Sequence, residues 1–259
     1  MKKIVYEHPL NERIRSLLRL EYLFAGILYR LKGSAERDSR AVINYLIEIL
    51  DFVSRFDLKI ELIKELELHA QLLERWQSTP NIDRERLINL INKSKILIEK
   101  LRKIEQPLAE SYSQHHLIHL VRQRSTISGG MCQCDLPGFY YWLQKNPKIR
   151  QKELSDWLIP LVPLREAIDL LLYLIRNNAV ASQETALNGL YQSQRDANAN
   201  YQLIQVTMPS EHPCYPEMKG GKQRFSIRFF EYPLADVQPL QTEDDIQFEL
   251  GCCMNADQD

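Results

Sequence analysis

The sequence predicts an α+β protein: a predominantly helical domain over residues 9–178, and a smaller antiparallel β domain over residues 179–259 that residues 1–8 complete. Three observations carry this. From Leu10 to Asn177 apolar residues recur every three or four positions, the repeat of helices with one buried side. Beyond Tyr201 the repeat changes to strict alternation, the pattern of strands with one buried face. Between them Ser193–Asn200 (SQRDANAN) is polar and turn-like, a loop or linker. Helices segregated from strands along the chain are the mark of the α+β class.

In chain order, Ile4–Tyr6 reads as a short strand. A first helix follows Pro9, its apolar side marked by Leu10, Ile14, Leu17, Leu18, Phe24, Ala25 and Leu28. Arg15 and Arg19 lie four apart on it, a like-charge spacing that costs about 0.2–0.5 kcal/mol unless an acid such as Glu12 offsets it. Lys32-Gly33-Ser34 breaks the chain before a second helix, Ser39–Phe56. The third, Leu58–Gln77, repeats Leu58, Leu62, Leu66, His69, Leu73 and Trp76 and ends at Ser78-Thr79-Pro80. The fourth, Arg84–Glu105, stops before Pro107, and a fifth covers about Ser113–Gln123. Asn146-Pro147 is an N-cap with proline at the first helical position, and the last apolar helix is Leu164–Asn177. In the β region, Ile204, Val206 and Met208 share one side of a strand, Phe225, Ile227 and Phe229 another, and Ile246, Phe248 and Leu250 a third.

Leu120–Leu143 joins the helical half to the rest of the chain and holds the densest set of unusual residues: Arg122, Arg124, Gly129-Gly130, Cys132, Cys134 and Phe139-Tyr140-Tyr141-Trp142. Gly-Gly marks a tight turn. Asp135 then reads as a helix cap ahead of Pro137. This stretch has the character of a docking surface, with Phe139, Tyr141 and Trp142 as candidate apolar wall.

At 259 residues, with 44% hydrophobic and 26% charged content, the chain can bury a sizeable core. A net charge of −1 argues against general nucleic-acid affinity. The charge is uneven: Lys219–Arg228 carries four basic residues and no acid, and Phe229–Asp259 carries eight acids and no Lys or Arg. The longest apolar run, Leu170–Ile175, is far too short to span a bilayer. The opening MKKIVYEHPL lacks the apolar core of a secretory signal. Five cysteines without a signal read as reduced thiols, so the expected location is cytoplasmic.

Two chemistries can be weighed on spacing. His115 and His119 stand at i, i+4 and precede Cys132, Cys134, Cys252 and Cys253, so a zinc-dependent enzyme is one alternative. The cysteine pairs lack the usual two-residue gap, however, and no GxSxG, Walker loop or dinucleotide fingerprint is present. The zinc signal is therefore weak, and no residue pattern in the chain supports a hydrolase. The second chemistry is more telling. Lys222, Arg224 and Arg228 project from one face of a strand, opposite Phe225 and Ile227. Either Glu249 or another acid of the last strand neutralises them, or they form a platform for an acidic peptide, since arginine forks hold carboxylates bidentately. The platform reading requires Arg15, Arg19, Arg55, Arg122 or Arg124 to converge on the same cleft.

The blocks YEHPLNERIRSLLRLEYLF, LVRQRSTISGGMCQCDLPGFYYWL, TALNGLYQ (Thr185–Gln192), KQRFSIRF (Lys222–Phe229) and IQFELGCC, in that order over nearly the full length, resemble the ZapD family of Z-ring-associated cell-division proteins. The resemblance implies a helical and a β domain and a symmetric dimer. It also implies binding to the C-terminal peptide of the tubulin-like division GTPase FtsZ, at the mid-cell division site, with no enzymatic activity and no cofactor. In that family basic residues lining a pocket contribute to FtsZ binding, and Arg19, Arg55, Arg224 and Arg228 fall at such positions. His116 stands where an arginine is found and Tyr140 where a histidine is found, which makes that corner less cationic near neutral pH. Lys222, Arg15, Arg122 and Arg124 complete the candidate set.

Overall fold

In a computed structural model the chain forms seven strands and nine α-helices among the residues described, which are 2–55, 57–77, 83–105, 107–194, 201–221, 224–232 and 237–254. Lys222 and most of the expected linker lie outside them, as does the side chain of Arg55. The elements run β1 (Lys3–Pro9), α1 (Glu12–Arg30), α2 (Glu36–Arg55), α3 (Leu58–Trp76), α4 (Arg84–Arg102), α5 (Leu108–Ser111), α6 (His116–Ser125), α7 (Pro137–Leu143), α8 (Pro147–Leu158), α9 (Val162–Asn177), β2 (Ala179–Ala186), β3 (Leu190–Gln194), β4 (Tyr201–Pro209), β5 (Cys214–Gly220), β6 (Arg224–Glu231) and β7 (Ile246–Met254). Two compact units result, one of residues 1–18 with 172–259 and one of residues 19–171, the divisions falling inside α1 and α9. The α+β class is thus the observed one.

The first unit holds two antiparallel sheets, ordered β1-β4-β7-β2 and β3-β6-β5. Their inner faces share one core that includes Ile204, Val206, Met208, Phe225, Ile227, Phe229, Ile246, Phe248 and Leu250. The Phe229 and Phe248 rings meet across it at 5.2 Å. The alternation read from the sequence at Ile204–Met208, Phe225–Phe229 and Ile246–Leu250 is therefore the inner face of β4, β6 and β7. On the other side of the first sheet, Arg176 in the last turn of α9 grips Glu7 of β1 bidentately, Nε to Oε1 at 2.9 Å and Nη2 to Oε2 at 2.7 Å. Gln205 of β4 donates to the same Oε1 at 2.9 Å. Helix and two strands are thereby tied at one carboxylate.

The second unit is helical. α3 and α4 run antiparallel, tied at their surface by Lys95–Glu74 (2.7 Å) and Arg102–Glu67 (2.5 Å). Their buried seams, Leu58, Leu62, Leu66, His69 and Leu73 on α3 and Leu87, Ile91, Ile98 and Leu101 on α4, follow the expected repeat. Asp57 and Asp83 cap them by accepting from Ile60 N and Arg86 N. Trp76, read as part of the seam, is exposed because it falls in the last turn. The part of α1 in this unit buries Leu20, Leu23, Phe24 and Ile27, while Ile14 and Leu17 of α1 and Leu10 just before it are buried in the first unit; Ala25 and Leu28 are exposed. Buried Arg150 on α8 donates to the carbonyls of Ser34, Leu143 and Lys145 and to Ser39 Oγ, pinning the start of α2 to the α7–α8 connection. Asn146 caps α8 as expected. Asp135 does not cap α7: the cap position is Leu136, and the Asp135 carboxylate is taken by the Cys132 thiol.

Burial pushes the Glu7 carboxyl up, but hydrogen bonds from Arg176 and Gln205, together with the Arg176 charge, outweigh it and hold the pKa below its usual value. A carboxyl depressed in the folded state contributes stability above its unfolded pKa and loses it as pH falls through the folded one. Glu7→Gln should lower stability at neutral pH by about 2 kcal/mol. It should also flatten the acid-side fall below about pH 5. Urea titrations across pH check both; an unchanged acid slope would mean that the bridge does not set it.

Candidate functional site

β6 is the centre of its sheet, and its pleat decides what faces out. Phe225, Ile227 and Phe229 are buried while Arg224 and Arg228 are exposed, with Ser226 between them on the outer side. Directly opposite positions share a face. Across β5, Arg228 stands against Glu217 and Ser226 against Lys219; across β3, Ser226 stands against Gln192. Glu217 makes its ion pair with Lys219, at 3.1 Å. Among the described residues neither Arg224 nor Arg228 has an ion-pair partner. Glu249, the acid expected to neutralise them, belongs to β7 in the other sheet and pairs with Lys3 at 3.1 Å. Among the described residues, the outer face of the β5–β6 pair therefore sets Arg224, Arg228 and Lys219 against Glu217.

One end of this face is met by α1. The His8 side chain of β1 lies beside the backbone of Gly220, at the end of β5, and Arg15 lies close enough to act on the same imidazole. Burial first, and then the Arg15 charge, push the His8 pKa below its ordinary value. Arg15 itself bonds Glu12 at 3.1 Å. His8, Lys219 and Glu217 were not among the residues singled out from sequence. The two on β5 are hidden there because CYPEMKG, with its proline, does not read as a strand.

The remaining candidates belong to the helical unit. Arg122 of α6 donates through Nε to Asp51 at 2.7 Å and through Nη2 to Ser54 at 3.5 Å, both in the last turns of α2, which ends at Arg55. Arg124 and His116 on α6 and Tyr140 on α7 are exposed. Arg19, one turn beyond Arg15 on α1, is exposed and has no ion pair among the described residues. Val53 and Ser54 line a cleft of about 410 Å³ with Asp57, Lys59, Ile104 and Leu108. Of the aromatics, Phe139 and Trp142 are core, Trp142 donating to Glu153 at 2.5 Å, while Tyr141 is far more exposed than Tyr140. Arg122 is thus committed internally, while Arg19, Arg124, Arg224 and Arg228 keep their charge for something else.

The zinc-enzyme alternative is not supported by this geometry. His115 packs its ring between Tyr112 and Trp157, at 5.8 and 6.2 Å, and His119 bonds Gln123 at 2.9 Å. Among the described residues no cluster of metal-ligating side chains contains a histidine. Nor is any described helix long and apolar enough to cross a membrane.

Fold and surface together define an α+β protein whose distinctive exposed feature is an arginine-bearing sheet face. Residues 18–228 match the family described as ZapD, cell division protein. Proteins named Cell division protein ZapD from Methylococcus capsulatus, Aromatoleum aromaticum and Nitrosomonas europaea are 35%, 34% and 36% identical to the chain. These similarities cover 97%, 96% and 96% of this chain and 98%, 97% and 95% of the relatives. The chain belongs to the ZapD family.

A histidine whose folded pKa is depressed stays neutral while the unfolded chain takes up its proton, so its contribution to stability is lost as pH falls through about 6.5. Arg15→Gln should move the His8 pKa part of the way back up and leave the burial effect in place. An NMR titration of the imidazole reads this directly, and an unmoved pKa would remove Arg15 from this corner.

Proposed function

We propose that this protein is a non-enzymatic cell-division factor, without a cofactor, that binds the C-terminal tail of FtsZ and, as a homodimer, cross-links FtsZ filaments into bundles at the mid-cell division site in the cytoplasm. The observation that carries the reading is the outer face of β6. Arg224 and Arg228 are held on a central strand, exposed and without an ion-pair partner among the described residues, and the acid directly opposite Arg228, Glu217, is engaged by Lys219. A guanidinium fork on a rigid support is suited to peptide carboxylates, because little freedom is lost when the bidentate contact forms. Lys222 would extend the same row. Arg15, Arg19, Arg55, Arg122, Arg124, His116 and Tyr140 are the further contacts proposed, with Arg122 acting mainly through its hold on the end of α2.

Family membership supports the division role, and the cell-division name of the relatives supports a protein that is not an enzyme. Dimerisation supplies the bundling: two equivalent sites on one particle convert modest tail affinity into filament cross-linking, because the second contact is made at high effective concentration.

Fluorescence anisotropy with a labelled FtsZ C-terminal peptide tests the reading. Arg224→Glu/Arg228→Glu should weaken binding at least about tenfold while circular dichroism remains that of the wild type. Raising the salt should weaken wild-type binding, since exposed charges are screened. Equal binding by both proteins would move the site away from β6, and no binding by the wild type would end the FtsZ reading.

A further inference from the structure

The turn between α6 and α7 contains a group of side chains that tail binding leaves unused. Gly129 has a positive φ of 72°, and a Cβ at Gly130 would collide with the carbonyl oxygen of Arg124. The Gly-Gly pair thus lets the backbone fold back on the end of α6 where other residues could not. Hydrogen bonds from Ile127 N to Arg124 O, Gly130 N to Ile127 O, Cys132 N to Gly129 O and Leu136 N to Cys132 O then close successive tight turns. From outside, Arg40 of α2 donates to the Met131 carbonyl at 3.3 Å while lying over the Phe139 ring at 5.2 Å.

The Sγ atoms of Cys132 and Cys134 and a carboxylate oxygen of Asp135 consequently lie within 4.8 Å of one another. Cys132 Sγ donates to Asp135 Oδ2 at 3.1 Å. Both thiols are exposed, whereas Cys214, Cys252 and Cys253 are buried. The one-residue gap of Cys-Gln-Cys argues against zinc only while the chain is taken as extended. Here the folded turn brings the donors together and adds a carboxylate as the third. In a tetrahedral zinc site with Zn–S near 2.3 Å the donor atoms stand about 3.8 Å apart, so adjustments of roughly an ångström convert the cluster into a ligand set. Two thiolates with one carboxylate favour Zn²⁺ over harder cations such as Mg²⁺ or Ca²⁺.

We propose that the Cys132-Cys134-Asp135 turn binds one Zn²⁺ through two thiolates and a carboxylate, its fourth position open to water. Binding exchanges the two S–H protons for two Zn–S bonds and releases those protons to solvent. Each thiol must give up its proton to become a ligand, so protons compete with the metal. The site uses none of the residues proposed to contact the FtsZ tail, although Arg124 and Tyr140 flank it, and it would fasten the turn joining α6 to α7.

The test uses the full-length protein, reduced and stripped of metal, titrated with Zn²⁺ against a chromophoric chelator. Cd²⁺ is titrated in parallel to read thiolate charge-transfer absorption. One equivalent should bind, with affinity rising between about pH 6 and about pH 8. Cys132→Ser/Cys134→Ser should lose at least about 100-fold in affinity and Asp135→Asn about tenfold. All three substitutions are at exposed positions, and circular dichroism verifies that the variants fold. Zinc binding no tighter in wild type than in the double variant would overturn the site. So would reduced wild type that takes up no metal and only forms a disulfide on oxidation.

Discussion

The pleat of β6 is the constraint on which the proposed surface depends. Successive side chains of a strand point to opposite faces, so burying Phe225, Ile227 and Phe229 forces Arg224, Ser226 and Arg228 outward. Full burial of each apolar side chain is worth about 1.5–3 kcal/mol. Exposed like charges two residues apart cost only tenths of that in water. Burial therefore wins by a wide margin, and the strand can hold adjacent cations without help from a neighbouring acid. A shift of register by one residue would bury both arginines and expose the aromatics, so core and surface are specified by the same alternation.

The arginines sort into two populations by what they touch. Arg176, Arg150 and Arg122 are structural. The first closes on Glu7, the second on backbone carbonyls where no carboxylate is needed, and the third on Asp51. Each joins elements distant in sequence, and each is at least partly withdrawn from solvent. Arg19, Arg124, Arg224 and Arg228 are different: exposed, with no ion pair among the described residues. A protein of net charge −1 has acids enough to neutralise every cation. Among the described residues these four are unmatched although the acid-rich C-terminal stretch begins within β6, so for those residues proximity in sequence has not been turned into pairing. Glu249 illustrates this, since its strand enters the other sheet and delivers it to Lys3.

The fold was legible in the sequence where burial is one-sided and strong. All three strands read from alternation beyond Tyr201 are the interior strands β4, β6 and β7, each flanked by two neighbours. The strands that escaped notice, β2, β3 and β5, are all edges. An edge strand has a partner on one side alone, so it tolerates AVASQETA, LYQSQ or a proline in CYPEMKG. The helices were visible from their 3–4 repeats, with errors at positions that follow the repeat but are exposed, such as Ala25 and Leu28 of α1 and Trp76 of α3. Side-chain partners were the illegible part. Nothing in spacing says that Asp135 is taken by Cys132, that Trp142 reaches Glu153, or that His8 meets Gly220 and Arg15, because each depends on how the chain folds back.

These partnerships also explain why the two histidines that looked like ligands are not placed as such, while the thiols are. His115 and His119 project from consecutive turns around the start of α6, where ring packing on Trp157 and a bond with Gln123 satisfy them locally. A helix offers donors at fixed steps along its surface, so further ligands must come from elsewhere, and none of the described residues supplies them. A glycine-bearing turn has the opposite property. Its backbone reverses within a few residues, so donors one or two positions apart converge without help from a second element. Residue type and spacing thus nominated the helix, whereas backbone freedom at Gly129 and Gly130 decides which side chains meet.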